Sequence, residues 1–204
     1  MDKIIINQSI RHLLRDKKIK TLINKYSIPQ FFPNNNYFDA LSKTIIYQQL
    51  SGKVAQIIYK RFILLFKNEI PCPKQYMNIK TKDLKNIGLS KQKINYINNL
   101  SKFFIDENSS IQFKNISDNQ IYKKLISIKG IGRWSVDMFM MFTLCRPDIL
   151  PVGDLGIRKA FKILYNLEEL PTESFMQQKA LHWKPYRTIA SCYLWMEVDD
   201  SDVW

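Results

Sequence analysis

Hydrophobic residues recur along much of the chain at intervals of three and four, which is the spacing of an α-helix. The clearest run comprises Phe38, Leu41, Ile45, Val54, Ile57, Ile58, Phe62 and Leu65. No long stretch alternates hydrophobic and polar residues, as a strand with one buried face would. The pattern therefore predicts a nearly all-α chain whose helices each bury one apolar face.

Prolines and capping residues divide this pattern into separate helices. Loops are expected at 29–36 and at 71–73, where prolines and asparagines cluster. Ser117 and Gln120 have the spacing of a capping box, which predicts a helix running to Ile126. Further helices are expected at 91–104, from 133 until Pro147 stops it, after Asp154, between 172 and 181, and after Pro185.

The charge balance narrows the class of partner. The chain has 204 residues, enough for one large domain or two small lobes, and carries 31 Lys+Arg against 18 Asp+Glu, a net charge of +13. A broadly basic folded surface favours a polyanion, of which nucleic acid is the first candidate. The charge alone leaves open the alternative that the Lys, Asn and Ile excess only reflects the composition of a genome.

The remaining composition points to the interior of a cell. Three scattered cysteines are too few for a disulfide framework or a zinc site and are expected to be reduced. No apolar run approaches the roughly 18 residues of a membrane span, and the N-terminus lacks the features of a signal peptide. We expect an intracellular monomer in the cytoplasm or nucleoid, or in the nucleus of a eukaryote, without contact to a membrane.

Four of the six glycines, Gly130, Gly132, Gly153 and Gly156, lie within residues 127–156. In the segment Ile128-Lys-Gly-Ile-Gly132, glycines allow the backbone to direct N–H groups outward, where a phosphate can bind. A glycine-rich turn between two core helices would look similar. The motif alone predicts sequence-independent binding of a nucleic-acid backbone and says nothing about catalysis.

Asp154 is the candidate for chemistry. An Asp directly before Leu155-Gly-Ile is also a good helix N-cap, and the two roles are compatible. The helix dipole favours the ionised carboxylate, which beside bound DNA can stabilise positive charge at a sugar carbon or orient water toward it.

These segments resemble the helix-hairpin-helix DNA glycosylases, most closely the 3-methyladenine DNA glycosylase II branch. The resemblance is carried by Gly132-Arg-Trp-Ser-Val-Asp137, Pro151-Val-Gly-Asp154-Leu-Gly-Ile157, Ile46-Tyr-Gln-Gln-Leu-Ser51, Ile87-Gly-Leu-Ser-Lys-Gln-Lys93, Trp183-Lys-Pro-Tyr-Arg187 and Tyr193-Leu-Trp195. It covers residues 10 to 197. It implies an all-α, two-lobed helical bundle over residues 1–204, with lobe one at about 38–145, including the hairpin 127–132, and lobe two at about 1–37 plus 146–204. The catalytic cleft is expected between the lobes.

The resemblance also implies roles for individual residues. Asp154 matches the catalytic aspartate. The damaged-base pocket would be formed by Trp134, Trp195, Tyr47 and Met138, the last at a place where some relatives carry another aromatic residue. DNA would be bound by the wedge residues Gln48, Gln49 and Leu50 and by the hairpin residues Ile128, Lys129, Gly130, Ile131, Gly132 and Arg133.

Two further expectations concern cofactors and lyase activity. The family's hairpin binds a monovalent cation, Na⁺ or K⁺, through main-chain carbonyls that would here belong to Ile126, Ile128 and Ile131. The iron–sulfur branch uses four clustered cysteines, whereas only Cys192 lies near the C-terminus, so no cluster and no other cofactor are expected. Relatives that cleave the backbone as lyases carry a lysine where Trp134 stands, so no lyase activity is expected.

The resulting hypothesis is a monofunctional DNA N-glycosylase of base excision repair, which removes alkylated purines such as 3-methyladenine and 7-methylguanine from duplex DNA and leaves an abasic site. An alkylated purine is a cationic leaving group, so a single carboxylate suffices where ordinary glycosides need two. Cation–π stacking of about 2 kcal/mol would offset part of the cost of flipping the base. The alternatives are a non-catalytic DNA-binding module for distorted duplex, or a glycosylase for uracil, mismatched thymine or an oxidised purine.

Overall fold

The computed structural model describes residues 1–106 and 112–198, and all regular elements in these ranges are helical. The α-helices are α1 (Lys3–Leu13), α2 (Lys17–Lys25), α3 (Tyr37–Tyr47), α4 (Gly52–Ile63), α5 (Pro73–Tyr76), α6 (Thr81–Asn86), α7 (Lys91–Asp106), α8 (Asp118–Ile126), α9 (Arg133–Met138), α10 (Leu155–Tyr165), α11 (Glu173–Lys179) and α12 (Arg187–Val198). Single 3₁₀ turns occur at Lys67–Glu69, Phe113–Asn115 and Leu181–Trp183. The all-α prediction is therefore confirmed.

The chain divides into two compact units. One comprises Met1–Pro33 together with Met140–Trp204, and the other comprises Asn34–Phe139. The cleft expected between two lobes stays a prediction.

The unit Asn34–Phe139 is built around α3 and α7, which pack against each other. Phe38 of α3 lies edge-on to Phe104 of α7, with ring centroids 6.1 Å apart, and edge-on to Tyr76 of α5 at 6.2 Å. The Tyr76 hydroxyl, which is buried with its ring, donates a hydrogen bond of 3.1 Å to the carbonyl of Ile94. Aromatic packing with its polar group satisfied thus forms the centre of this unit.

The apolar face predicted for α4 is wider than the face that is buried. Ala55, Ile58 and Phe62 are buried, whereas Val54 and Ile57 are 45% and 51% exposed. All five residues fit helical spacing, but only one side of α4 meets other helices. The periodicity therefore predicted the helix and overestimated its buried face.

Helix α8 begins with the predicted capping box. The Ser117 hydroxyl accepts from the Gln120 N–H, and the Gln120 side chain accepts from the Ser117 N–H at 2.9 Å. Further along, the Tyr122 hydroxyl donates to the buried carboxylate of Asp137 in α9. Burial and the neighbouring carboxylate raise the pKa of Tyr122, so the phenol stays protonated and joins α8 to α9.

The helix expected to run from 133 to Pro147 is divided. Its α-helical part, α9, ends at Met138, and a π-helical turn follows at Phe139–Thr143. Cys145 adopts a left-handed backbone with φ of 54°. Nothing in the sequence distinguished this wide turn from ordinary helix, because its residues are all compatible with α-helical spacing.

In the unit Met1–Pro33 with Met140–Trp204, α12 packs against α10, α2 and α1. The start of α12 is tied to the segment that leads to Asp154. Arg187 forms a bidentate pair with Asp148, at 2.6 Å from Nε and 2.8 Å from Nη2, and Thr188 Oγ1 donates to the carbonyl of Arg146 at 2.6 Å. These bonds fix the path of the chain before α10.

The other helix and loop boundaries predicted from the sequence agree with the structure, with one exception. Helices follow Asp154, Thr172 and Pro185 as predicted, as α10, α11 and α12. Pro73, which was placed in a loop, instead begins α5, where its missing N–H costs nothing. Within the described ranges, no helix is both long enough and apolar enough to cross a membrane.

Candidate functional site

The hairpin between α8 and α9 depends on one glycine. Gly130 has φ of +110°, and a Cβ placed there would lie 2.2 to 2.5 Å from atoms of the Tyr96 side chain. Ile128 and Ile131 are buried on either side of it, 5% and 4% exposed, and hold the turn. The backbone of this turn is thus fixed from within and lies directly against a ring of α7.

Side chains from two other elements hold the hairpin from outside. Asn99 of α7 donates to the carbonyl of Lys129 at 3.1 Å. Gln48, which follows α3, donates from Nε2 to the carbonyl of Gly130 and to Ser135 Oγ, both at 3.0 Å. These bonds satisfy the carbonyls of residues 129 and 130 and hold the turn in place.

The hairpin forms one wall of an open cleft of about 460 Å³ within this unit. The cleft is lined by the segment 130–133 together with Gln48, Tyr96, Trp134 and Ser135. Trp134 is half-buried, and Gly132 and Arg133 are exposed. The cleft is therefore bounded by the glycine turn, an arginine and the aromatic side chains of Tyr96 and Trp134.

The turn after α3 separates the three predicted wedge residues. Gln48 is half-buried with its amide engaged by the hairpin, whereas Gln49 is exposed and has a left-handed backbone with φ of 57°. Leu50 is 38% exposed. Lys93 of α7 donates to the carbonyl of Ile46 at 2.7 Å, and burial lowers the pKa of Lys93. The end of α3 and the first residue of the turn are thus anchored, and Gln49 and Leu50 are the members that face solvent.

Asp154 is the N-cap of α10, as its sequence context predicted. Its Oδ1 accepts a hydrogen bond of 2.9 Å from the Ile157 N–H and one of 2.8 Å from Trp195 Nε1. Its own N–H donates to the carbonyl of Pro151 at 2.9 Å. The half-buried carboxylate is therefore held at the positive end of an eleven-residue helix.

The structure distributes the predicted site residues between the two units. Asp154 and Trp195 lie together in the unit that contains α10 and α12, while Trp134, the wedge turn and the hairpin lie together in the other. Met138 is buried in α9 at 2% exposed. Tyr47 is half-buried, Lys43 Nζ lies 5.4 Å from its ring centroid, and burial raises the pKa of Tyr47.

Three residues that contact the hairpin were not predicted from the sequence to do so. They are Tyr96, Asn99 and Gln48, the last of which was expected to face the DNA. Tyr96 and Asn99 stand three residues apart on α7 and share a face, but polar and aromatic residues on a helix surface are too common to signal a partner. Their role becomes visible only through the hairpin that packs on them.

The carbonyls expected to bind a monovalent cation belong to the same turn. Ile126 and Ile128 end α8 and begin the hairpin, and the Ile128 carbonyl accepts from the Ile131 N–H at 3.0 Å. Main-chain carbonyls are hard oxygen ligands of the kind that Na⁺ and K⁺ prefer, and each has a second lone pair. The donor set fits such an ion, and the site stays a prediction. In the described residues no group of three or more His, Cys, Asp or Glu side chains could hold a metal ion.

Comparison with known proteins gives consistent matches. Residues 42–185 match the HhH-GPD family, described as the superfamily of base excision DNA repair proteins. The chain is 28% identical to DNA-3-methyladenine glycosylase 1 of Schizosaccharomyces pombe over 182 residues, which cover 88% of this chain and 80% of the relative.

Solved structures agree over nearly the whole chain. The S. pombe 3-methyladenine DNA glycosylase Mag1 in complex with abasic DNA superposes with a TM-score of 0.82, at 27% identity, covering 96% of this chain and 100% of that one. A DNA-3-methyladenine glycosidase from Bacillus halodurans superposes with a TM-score of 0.79 at 31% identity, covering 93% of this chain and 88% of that one.

Proposed function

Because this chain belongs to the HhH-GPD superfamily of base excision DNA repair proteins, we propose that it is a monofunctional DNA glycosylase that removes alkylated purines. The relatives named as 3-methyladenine glycosylases support the substrate class. The observation that carries the proposal is Asp154 itself, a carboxylate fixed at a helix N-terminus by two N–H donors at 2.8 and 2.9 Å.

The chemistry follows from the charge of the substrate. In an N-alkylated purine the base is cationic, so the N-glycosidic bond breaks with its electron pair leaving on the base. The sugar carbon then carries positive charge, and the ionised carboxylate of Asp154 stabilises that charge. Water adds to the carbon and gives up a proton to the solvent, leaving the neutral free base and an abasic site. No strong general acid is required.

The hairpin contributes binding without chemistry. Its backbone N–H groups and the exposed side chains of Lys129 and Arg133 would hold phosphates of duplex DNA independently of sequence. Gln49 and Leu50, which face solvent on the anchored turn, would fill the space that a flipped nucleotide leaves. Trp134, half-buried in the hairpin cleft, would stack on the cationic base. In this proposal the protein acts as a monomer inside the cell on double-stranded DNA with a damaged base.

The absence of lyase activity is part of the proposal. A lyase forms a covalent Schiff base between an amine and the sugar, and Trp134 offers no amine at the position where lyases of the family carry lysine. Borohydride in the presence of damaged duplex should therefore leave the protein uncrosslinked. A trapped protein–DNA adduct would contradict this part alone.

Replacing Asp154 by Asn tests the central claim. Asn is as good an N-cap as Asp, so folding should be retained while the negative charge is lost. We expect release of 3-methyladenine from N-methylated duplex to fall roughly 100- to 1,000-fold, as for the loss of one strong electrostatic contact to a transition state. Binding to duplex with an abasic-site analogue should persist.

The matched control is Asp16→Asn, which makes the same change at the N-cap of α2 in the same unit. It should release base at the wild-type rate. A wild type that binds duplex tightly and releases no base would favour the non-catalytic binding module. Release of uracil, mismatched thymine or oxidised purine in preference to methylpurines would support a glycosylase but contradict the proposed substrate class.

A further inference from the structure

We propose that Trp195 is a positioning residue that acts on the reaction through Asp154, in place of the base-stacking role expected from the sequence. The indole N–H holds the carboxylate in one orientation. The ring that carries this N–H is buried and does not stack on the damaged base. This inference rests on the proposed function, and it identifies a residue that determines the orientation of the Asp154 carboxylate.

The hydrogen bond is the first observation. Trp195 Nε1 donates to Asp154 Oδ1 at 2.8 Å, and the same oxygen accepts from the Ile157 N–H at 2.9 Å. A backbone N–H alone fixes one direction of a side chain that can still rotate about its terminal bond. The second donor arrives from α12, so the carboxylate plane is fixed by two elements.

Gly156 is the second observation. A Cβ at this position would lie 3.0 Å from Trp195 Cδ1, 3.2 Å from Trp195 Nε1 and 3.1 Å from Asp154 Oδ1. The indole edge and the carboxylate therefore both lie in close contact with the backbone of α10 at Gly156, where a Cβ would be crowded.

Burial of the ring is the third observation. Trp195 is 5% exposed, and Phe142 packs on it with ring centroids 5.9 Å apart. Phe142 in turn stacks on Phe31 at 6.1 Å. A ring covered in this way offers little surface to a flipped base, but its position is fixed well enough to orient another group.

The consequence for the reaction is one of geometry. A carboxylate that must face a developing charge loses effectiveness when it samples several rotamers, because the ordering has to occur at the moment of reaction. The two donors order it beforehand. Trp195 therefore contributes to the rate of the chemical step and little to binding of the substrate.

Substitution of Trp195 by Phe separates the two roles. Phenylalanine keeps an aromatic face and removes the N–H donor. If the ring stacks on the base, the variant should keep most of its rate; if the N–H positions Asp154, the rate should fall although an aromatic ring remains.

The chain supplies a matched control in Trp183→Phe. Trp183 is fully buried in the same unit, and its Nε1 donates at 2.8 Å to Asp16 Oδ2. Asp16 is also a helix N-cap, so the two substitutions remove the same kind of bond between an indole and a capping carboxylate. The two substitutions should lower the melting temperature by similar amounts, but only Trp195→Phe removes a hydrogen bond to Asp154.

We expect Trp195→Phe to lower the single-turnover rate of methylpurine release roughly 10- to 100-fold, the equivalent of one hydrogen bond to a charged group. Its affinity for duplex with an abasic-site analogue and its melting temperature should match those of Trp183→Phe. Trp183→Phe itself should keep the wild-type rate.

Gly156→Ala provides a second route that leaves both side chains in place. Alanine crowds the indole and the carboxylate by a few tenths of an ångström, so the rate should fall severalfold. A Gly156→Ala variant that keeps the wild-type rate would contradict the proposal, even if Trp195→Phe does not fold.

The outcomes are distinguishable. An active wild type with Trp195→Phe as fast as Trp183→Phe would overturn the positioning role and leave the proposed function standing. A loss of affinity for lesion-containing duplex with an unchanged single-turnover rate would restore the stacking role and likewise overturn the proposal. An inactive wild type would overturn the proposed function and this inference together.

Discussion

At Gly130 a single residue decides whether the hairpin can form. Its φ of +110° is unfavourable for any side chain, and the space where a Cβ would stand is filled by the Tyr96 ring at 2.2 to 2.5 Å. Gly132 differs, because a Cβ there would meet nothing within 4 Å and its φ is −100°. The two glycines of one motif therefore carry unequal constraints.

Gly130→Ala should accordingly destabilise the protein by roughly 2–5 kcal/mol, from backbone strain and the forced movement of Tyr96. Chemical denaturation compared with wild type measures this cost. Gly132→Ala should change stability by less than about 0.5 kcal/mol. Equal costs for the two substitutions would contradict the assigned geometry.

Asp16 gives a prediction about pH. Burial of this carboxyl raises its pKa, but hydrogen bonds from Trp183, His182 and the N–H groups of Ile19 and Lys18 outweigh burial, so the net pKa is lowered. A lowered pKa in the folded state contributes stability that is present at neutral pH and is lost as the pH falls through that lowered value. Melting temperature should thus decline below about pH 4, and Asp16→Asn should flatten part of the decline. The same slope in variant and wild type would show that Asp16 is not the group involved.

At the scale of elements, Gln48 connects the turn after α3 with the hairpin between α8 and α9. Its two bonds of 3.0 Å reach the Gly130 carbonyl and Ser135 Oγ. Gln49, its neighbour, is exposed. The turn that would enter the duplex and the hairpin that would hold its backbone are therefore parts of one bonded assembly.

Gln48→Ala should remove both bonds and lower stability by about 1–2 kcal/mol. Gln49→Ala, at an exposed position next to it, should lie within about 0.5 kcal/mol of wild type. The free energies of unfolding of the two variants can be compared by denaturant unfolding under identical conditions. If Gln49→Ala proved the more costly, the inward and outward assignment of the pair would be wrong.

At the scale of the whole molecule, the net charge of +13 predicts that the affinity for duplex DNA falls as the salt concentration rises. Each phosphate neutralised by a Lys or Arg contributes about −0.9 to the slope of log affinity against log salt concentration. Lys129 is an exposed lysine of the hairpin. Its replacement by Ala should make the slope shallower by about one, whereas Lys74→Ala, an exposed lysine on α5, should leave the slope unchanged. Equal slopes for wild type and Lys129→Ala would remove Lys129 from the phosphate contacts.

The sequence by itself determined the features that depend on residues a few positions apart. Helical periodicity established the all-α fold, and Ser117 with Gln120 marked the start of α8 correctly. Asp154 was recognised as an N-cap because the acceptor and the N–H that it caps are three residues apart. Such signals are local, so they survive without knowledge of the packing.

Only the tertiary structure decided what meets across long separations in the chain. Trp195 reaches Asp154 over 41 residues, and Gln48 reaches Gly130 over 82. Val54 and Ile57 are left exposed on α4, although their spacing fits a buried face, because the other helices of the unit cover only one side of it. These contacts depend on how helices pack, and a pattern of residue types along one chain does not contain that information.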